Sequence, residues 1–181
     1  MTRLQEIYKK DIAPKMQKEF GLKSIMAVPR LQKVVVNTGI GDFKDNKDAI
    51  ESFVNELGQL LGQTPHPRKA RLSVAGFKIR KGDVVGYSAT LRRDKMWAFF
   101  DKLVSIAIPR IRDFRGLNPN SFDEAGNYSF GITEHVIFPE VNPNTIKGVR
   151  SLQVTIVSSS NDKKLNKALL NYLGMPFKKE A

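Results

Sequence analysis

The chain has 181 residues, of which 41% are hydrophobic, a composition typical of a globular protein with a substantial core. It contains no cysteine, which excludes disulfides, zinc-thiolate sites and cysteine nucleophiles. Lysine and arginine number 30 against 18 acidic residues, and the resulting net charge of +12 favours polyanionic partners, nucleic acid above all. No run approaches the about 18 apolar residues that cross a bilayer, so we expect a soluble protein that is not exported.

Four stretches carry apolar residues at helical spacing. They are residues 2–20, about 45–61, a stretch that begins near residue 94, and about 161–173. At the first helix we expect a capping box between Thr2 and Gln5, and Pro14 should kink or divide it. The second helix is the clearest of the four, and Asp45 or Asn46 is expected to cap it.

Between the helices lie stretches in which apolar and polar residues alternate, as they do in β-strands. They are residues 31–38, 84–93, 128–133 and 152–157. Because one face of each is polar, they predict an antiparallel sheet with one covered face. The predicted fold class is therefore α+β, in a single domain over residues 1–181. The proline- and glycine-rich residues 109–127 are interpreted as a long surface loop.

The first predicted strand ends in the sequence NTGIG, residues 37–41, for which there are two interpretations. A dinucleotide-binding loop would need a third glycine where Lys44 stands, which disfavours that interpretation. The other is structural: the two glycines let the chain turn from strand to helix with positive φ. Alternation puts Asn37 on the polar face of the strand and Thr38 on the apolar face.

No arrangement of residues predicts catalysis. The sequence has two histidines, His66 and His135, without the HExxH spacing of a metalloprotease, and neither GxSxG nor GxxxxGK[ST] occurs. Glu134 and His135 are adjacent, and neighbouring residues on a strand point to opposite faces, so they are not expected to act together. We predict no catalytic residue, metal site, cofactor or small-molecule substrate.

The most informative stretch is HPRKARLSVAGFKIRKGDVVG, residues 66–86, in which cationic side chains surround Phe77. Cations bind phosphates and an exposed ring stacks on a base or ribose, so a projecting loop of this composition is typical of RNA contact. The alternative is a solvated hairpin with Phe77 buried in the core.

A second basic cluster is PRIRDFRG, residues 109–116, which carries Arg110, Arg112 and Arg115. It predicts contact with RNA or with a protein partner. The alternative is a set of local ion pairs, such as Arg112 with Asp113, which contribute little at a surface.

These motifs together resemble the family of bacterial large-subunit ribosomal protein five. In chain order they are VPR at 28–30, NTGIG at 37–41, GQTP at 62–65, KARLSVAGFKIRKG at 69–82, TLR at 90–92, MWAFFDKL at 96–103, IPRIRDFRGL at 108–117, SFDEAGNYSFGITE at 121–134 and IFPE at 137–140. They run through nearly the whole chain. The chain departs from the family at residues 66–68, where members often have apolar residues, at Leu72, often basic, and at Arg93, often glycine.

The resemblance implies a non-catalytic constituent of the large ribosomal subunit, in the cytoplasm, that binds 5S rRNA and attaches it in the central protuberance. It implies further contacts with 23S rRNA and neighbouring large-subunit proteins. The fold that it implies is a curved antiparallel sheet with helices packed on one face and a long projecting loop. The family's RNA-facing polar positions correspond to Asn37, Gln63 and Thr90. The full predicted 5S rRNA contact set adds Thr38, Arg68, Lys69, Arg71 and Arg92.

The family's projecting loop approaches peptidyl-site tRNA, and residues 72–82 match it. The residues expected to contact the tRNA are Ser73, Val74, Ala75, Gly76, Phe77, Lys78, Ile79, Arg80 and Lys81. The family also contacts small-subunit ribosomal protein thirteen in an intersubunit bridge, for which residues 109–117 and 134–147 are candidate regions and Arg110, Arg112 and Arg115 candidate residues. A small RNA-acting enzyme or chaperone, with its site at the strand-to-helix turn, is the alternative function. The missing catalytic arrangements disfavour it.

Overall fold

The computed structural model describes residues 2–41, 46–141 and 148–178. The helices are α1 (Arg3–Ile7), α2 (Ala13–Glu19), α3 (Lys47–Leu61), α4 (Arg93–Lys102) and α5 (Lys163–Tyr172), with π-helical turns at Tyr8–Ile12 and Leu103–Ala107. The strands are β1 (Leu31–Gly39), β2 (His66–Lys69), β3 (Val84–Leu91), β4 (Tyr128–Ile132) and β5 (Leu152–Ser158).

The five strands form one open sheet in the order β2-β3-β1-β5-β4, which confirms the predicted α+β class with an antiparallel sheet. The chain divides into two compact units. The first unit comprises Met1–Val34, Leu91–Phe130 and Thr155–Ala181, and the second comprises Val35–Thr90 and Gly131–Val154. The assignment of residues 1–181 to a single domain stays a prediction.

In the first unit, Pro14 divides the N-terminal helix as predicted. Proline has no N–H to donate within a helix, and the π-helical turn Tyr8–Ile12 directly precedes α2, which carries Pro14 in its first turn. The predicted capping box is wrong. The hydroxyl of Thr2 has no hydrogen-bond partner in the described structure, and it is the Thr2 carbonyl that accepts the Gln5 N–H, at 3.0 Å.

The helix α4 of the first unit begins with an unusual backbone conformation. Arg93 has a φ of 51°, in the left-handed region where a side chain costs free energy and glycine does not. The glycine that family members often have here would adopt this conformation without strain.

The segment 109–127 of the first unit is less of a surface loop than predicted. Leu117 is buried, its N–H donates to the carbonyl oxygen of Pro176 at 2.9 Å, and its own carbonyl accepts the Lys178 N–H at 2.9 Å. The hydroxyl of Tyr128 donates to the carbonyl oxygen of Asn118 at 2.8 Å. These bonds tie the segment to β4 and to the chain that follows α5.

In the second unit, α3 matches the prediction closely. The Asn46 side chain accepts the Ala49 N–H at 3.1 Å and caps the helix, while Asp45 lies outside the described residues. Gly62 ends the helix with a φ of 62°, in the left-handed conformation that favours glycine. Phe53 and Leu57 are buried on its apolar side.

The strand β2 was not among the predicted strands, because three of its four residues are charged or proline and its burial does not alternate. It lies at the edge of the sheet, where proline is tolerated because its missing N–H is not needed for pairing on both sides. It pairs antiparallel with β3, with His66 opposite Ser88 and Arg68 opposite Gly86. Residues 66–91 therefore form a hairpin of which the predicted loop is the tip.

Candidate nucleic-acid interface

Two of the predicted RNA contacts lie on the same face of neighbouring strands. On β1, Asn37 is exposed beside the buried Val36, and on β3, Thr90 is half-buried beside the buried Ala89. Because successive side chains alternate across a strand and β1 and β3 are neighbours, Asn37 and Thr90 both lie on the face away from the core. We call this face of the second unit the polar face.

Thr38 belongs to the opposite side of β1. Its side chain is buried, and its hydroxyl donates to the carbonyl oxygen of Ser151 at 2.8 Å. That hydroxyl is used inside the protein, where it helps to hold β1, and the RNA contact of Thr38 stays a prediction.

Gln63 reaches the polar face from the end of α3. It directly follows Gly62, and its Nε2 donates to the carbonyl oxygen of Thr90 at 3.4 Å. Spacing alone did not single out Gln63, since it lies in neither a helix nor a strand. A glycine-terminated helix running into a strand is the local signal that could have found it.

The cations of β2 stand next to these polar groups. The Arg68 side chain donates from Nε to the Ser88 hydroxyl at 2.6 Å, which fixes its guanidinium on the polar face. Lys69 and Arg71 follow it and are exposed. Arg92, two residues beyond Thr90 along the chain, is also exposed and belongs to the first unit.

The predicted projecting loop is an ordered extension of the β2–β3 hairpin. At its base the Ala70 N–H donates to the carbonyl oxygen of Asp83 at 2.8 Å. Further out, Val74 and Ile79 exchange two backbone hydrogen bonds of 2.9 and 3.2 Å. The Ser73 hydroxyl accepts the Lys81 N–H at 2.9 Å. These bonds hold the backbone in one shape without any buried side chain.

The tip of the loop is a 3-10 turn, Ala75–Phe77, after which the chain reverses at Lys78 with a φ of 50°. Gly82 has a φ of 98°, whereas Gly76 has no positive φ and the bend falls on Lys78.

Apolar and cationic side chains are both exposed on the loop. Phe77 is 72% exposed, so the alternative that buries it in the core is wrong. Leu72 is 76% exposed, and the cations Arg71, Arg80 and Lys81 of the same loop are exposed as well. An exposed ring among cations is the composition that protein surfaces use to stack on and neutralise RNA.

The two glycines at the end of β1 do not serve the turn that the sequence predicts. Gly39 and Gly41 have no positive φ, and no heavy atom of the described residues lies within 4 Å of a Cβ built on either. Among the residues that the structure describes, nothing therefore requires glycine at either position. Lys44, the residue that breaks the dinucleotide fingerprint, lies outside the described residues.

The second basic cluster is exposed in the first unit. Arg110 and Arg115 are on the surface, and Arg112 lies 3.8 Å from Asp113 with side chains 95% and 88% exposed. Such a distant and hydrated ion pair contributes little to stability, so it does not account for the cluster. Of the other candidate bridge region, residues 142–147 lie outside the described residues.

His135 is held by hydrogen bonds within the protein. His135 is buried, its Nδ1 accepts the Arg150 N–H at 3.0 Å, and its Nε2 lies 3.3 Å from Glu56. Because Nδ1 is an acceptor, the ring proton lies on Nε2 and is donated to Glu56. The partner of His135 is thus Glu56 and not the adjacent Glu134. Within residues 2–41, 46–141 and 148–178 no group of three acidic or histidine side chains could hold a metal ion.

Comparison with known proteins agrees with this geometry. Residues 24–80 match the family model described as ribosomal protein L5, and residues 84–177 match the model that describes the C-terminus of the same family. The chain is 50% identical over 176 residues to the large ribosomal subunit protein uL5 of Synechocystis, covering 97% of this chain and 98% of that one. It is 46% identical over 179 residues to uL5 of Alkaliphilus metalliredigens, covering 99% and 100%.

The matched family models and relatives define the class as ribosomal proteins, which bind rRNA and are not enzymes. The chain belongs to the ribosomal protein L5 family, a structural constituent of the large subunit of the cytoplasmic ribosome. None of the described helices is long and apolar enough to cross a membrane.

Proposed function

We propose that the polar face of the second unit binds 5S rRNA and attaches it in the central protuberance of the large subunit. The observation that carries this proposal is the pair Gly39 and Gly41, which the fold does not require, next to the exposed Asn37. Glycine without an internal reason fits a backbone that an outside partner approaches closely.

The charged and the uncharged side chains near Asn37 have different roles in binding RNA. Arg68, Lys69 and Arg71 neutralise phosphates, which gives affinity without sequence information. Asn37 and Thr90 have uncharged side chains that hydrogen-bond at short range to bases or ribose hydroxyls. Gln63 is held beside Thr90 and extends the same row.

The other contacts of the proposal come from separate elements. The extended hairpin, with Phe77 and its neighbouring cations, contacts peptidyl-site tRNA. Most of these contacts are to the sugar-phosphate backbone of the tRNA, because one loop must accept tRNAs of every sequence. Arg110, Arg112 and Arg115 contribute to the bridge with small-subunit protein thirteen. Contacts with 23S rRNA and neighbouring large-subunit proteins complete the set of partners.

The test is a binding panel with purified full-length protein at fixed salt. It compares 5S rRNA with a tRNA and with an unrelated RNA of the same length as 5S rRNA. We expect the tightest binding to 5S rRNA, and an affinity for it that falls steeply as salt rises, because phosphate contacts release counterions. Equal affinity for 5S rRNA and the unrelated RNA would mean that only the general positive field acts.

A further inference from the structure

A cleft in the first unit, lined by none of the predicted RNA contacts, combines cations with an aromatic residue. It has a volume of about 270 Å³ and is lined by Pro119, Asn120, Phe122, Lys163, Lys164 and Lys167. Of the described residues that line it, none is acidic. The three lysines stand in the first half of α5, and the other three residues belong to the segment between α4 and β4.

Helical geometry brings the three lysines together. Lys163 and Lys167 are four residues apart on α5, and Lys164 and Lys167 are three apart, so all three share one side of the helix. The Asp162 side chain caps the helix by accepting the Lys164 N–H at 2.8 Å. Positive charges on one side of a helix attract an anion.

Phe122 is the aromatic residue in the lining of the cleft, and other rings pack against it. Phe122 packs against Tyr128 with ring centroids 4.8 Å apart and lies 6.4 Å from the ring of Phe177. These contacts fix the ring, and its remaining surface lines the cleft. A rigid aromatic surface next to cations fits a planar base or a ribose whose phosphates reach the lysines.

The acidic side chains beside the cleft have other hydrogen-bond partners, since Asp162 caps α5 and Asp123 bonds to Asn127. Asp123 accepts hydrogen bonds from the N–H and the Nδ2 of Asn127, at 2.7 and 2.8 Å. The side-chain hydrogen bond from Asn127 is the largest cause that lowers the pKa of Asp123, and the charge of Lys163 adds a smaller effect. Asp123 is thus held by Asn127 and interacts with Lys163 through charge alone.

We propose that this cleft is a second RNA-binding site, which takes a single-stranded segment with its base or ribose on Phe122 and its phosphates on Lys163, Lys164 and Lys167. Acidic side chains would also satisfy the lysines, but a nucleotide carries both the anion and the planar ring in one unit, which fits the combination of lysines and Phe122. The site is separate from the polar face, so the proposal stands whether or not that face binds 5S rRNA.

The test uses full-length protein and a short single-stranded RNA of mixed sequence that contains 4-thiouridine. After irradiation, the crosslinked residues are mapped by mass spectrometry. We expect crosslinks at Phe122 in addition to those at Phe77. Absence of any crosslink at Phe122 in the parent protein would overturn the proposal.

The lysines are tested by the triple substitution Lys163→Gln, Lys164→Gln and Lys167→Gln. The matched control removes the same charge from the N-terminal helix, by glutamine at the exposed positions 9, 10 and 18. The Phe122 crosslink should fall at least about tenfold in the cleft variant and persist in the control, with the Phe77 crosslink retained in both. An equal loss in the two variants would overturn the proposal, because only net charge would then matter.

Competition separates RNA from an acidic protein segment. Unlabelled RNA should remove the Phe122 crosslink, whereas an oligo-glutamate peptide with the same number of charges should remove it only weakly. Equal displacement by the peptide would overturn the assignment to RNA.

Discussion

Gly86 on β3 lies so close to the carbonyl oxygen of Thr38 on β1 that a Cβ at residue 86 would overlap that oxygen. The same part of the sheet is held by the Ile40 N–H, which donates to the carbonyl oxygen of Val85 at 3.1 Å. The strand that carries Asn37 is therefore fixed against β3 by a contact that only glycine permits.

This contact predicts that Gly86→Ala destabilises the protein. The added methyl group must push β1 and β3 apart, and overpacking of this kind costs about 1–3 kcal/mol. Gly131→Ala on β4 is the matched control, because its Cβ would meet no described atom within 4 Å and its φ is not positive. Denaturant unfolding of both variants measures the difference, and equal stability would contradict the close packing.

Tyr128 predicts a loss of stability in alkali. Burial raises the pKa of Tyr128 to about 12 from an ordinary value of 10.0, and its hydroxyl donates to Asn118. Because the unfolded chain releases this proton first, the stability contributed by Tyr128 is full below pH 10 and falls by about 2 kcal/mol as the pH rises to 12. The difference in unfolding free energy between the parent and Tyr128→Phe, measured at several pH values, isolates this effect from the titration of lysines. A difference that does not change with pH would contradict it.

We predict that a substitution at Gly39 weakens 5S rRNA binding without lowering the stability of the protein. Gly39→Ala should leave the unfolding free energy unchanged or slightly higher, because the added methyl group has space and φ is ordinary. The same methyl group should weaken 5S rRNA binding, because it blocks the approach of the RNA to the backbone. Gly58→Ala at a half-buried position of α3 is the control, which should gain stability and keep the affinity, because its Cβ would have space. Unchanged 5S rRNA affinity in Gly39→Ala would remove the main support for the proposed surface.

We predict that the hairpin tip is needed for tRNA retention but not for folding or 5S rRNA binding. Replacing residues 76–81 by a short Gly/Ser turn should leave folding and 5S rRNA binding nearly intact, because the side chains of this segment are mostly exposed. Retention of tRNA in the peptidyl site of assembled ribosomes should fall. Dissociation of tRNA and 5S rRNA affinity are measured side by side. Loss of 5S rRNA binding with unchanged tRNA retention would reverse the roles of the polar face and the hairpin.

The spacing of apolar residues was sufficient to predict the helices and strands that bury one face. The helix α3 and the strand β1 follow it, because their apolar residues face the core at regular intervals. It failed at β2, an edge strand whose pairing is set by β3 and not by its own side chains. It also gives no sign of the reversal at the hairpin tip, which falls on Lys78 and not on the neighbouring Gly76.

The site was predictable in part for a similar reason. Alternation identified Asn37 and Thr90 as polar-face residues, but the position of Gln63 depends on how α3 ends beside β3. The cleft between Phe122 and the lysines of α5 joins segments about 40 residues apart in the chain, which no local pattern connects.

The most direct test of the proposed function is the 5S rRNA affinity of Asn37→Ala combined with Thr90→Val, measured across a range of salt concentrations. Asn55→Ala on the exposed side of α3 is the matched control. If the polar face binds 5S rRNA through uncharged side chains, the double variant should lose about tenfold or more in affinity, with the salt dependence and the unfolding free energy nearly unchanged. An affinity equal to that of the parent and of Asn55→Ala would contradict the account.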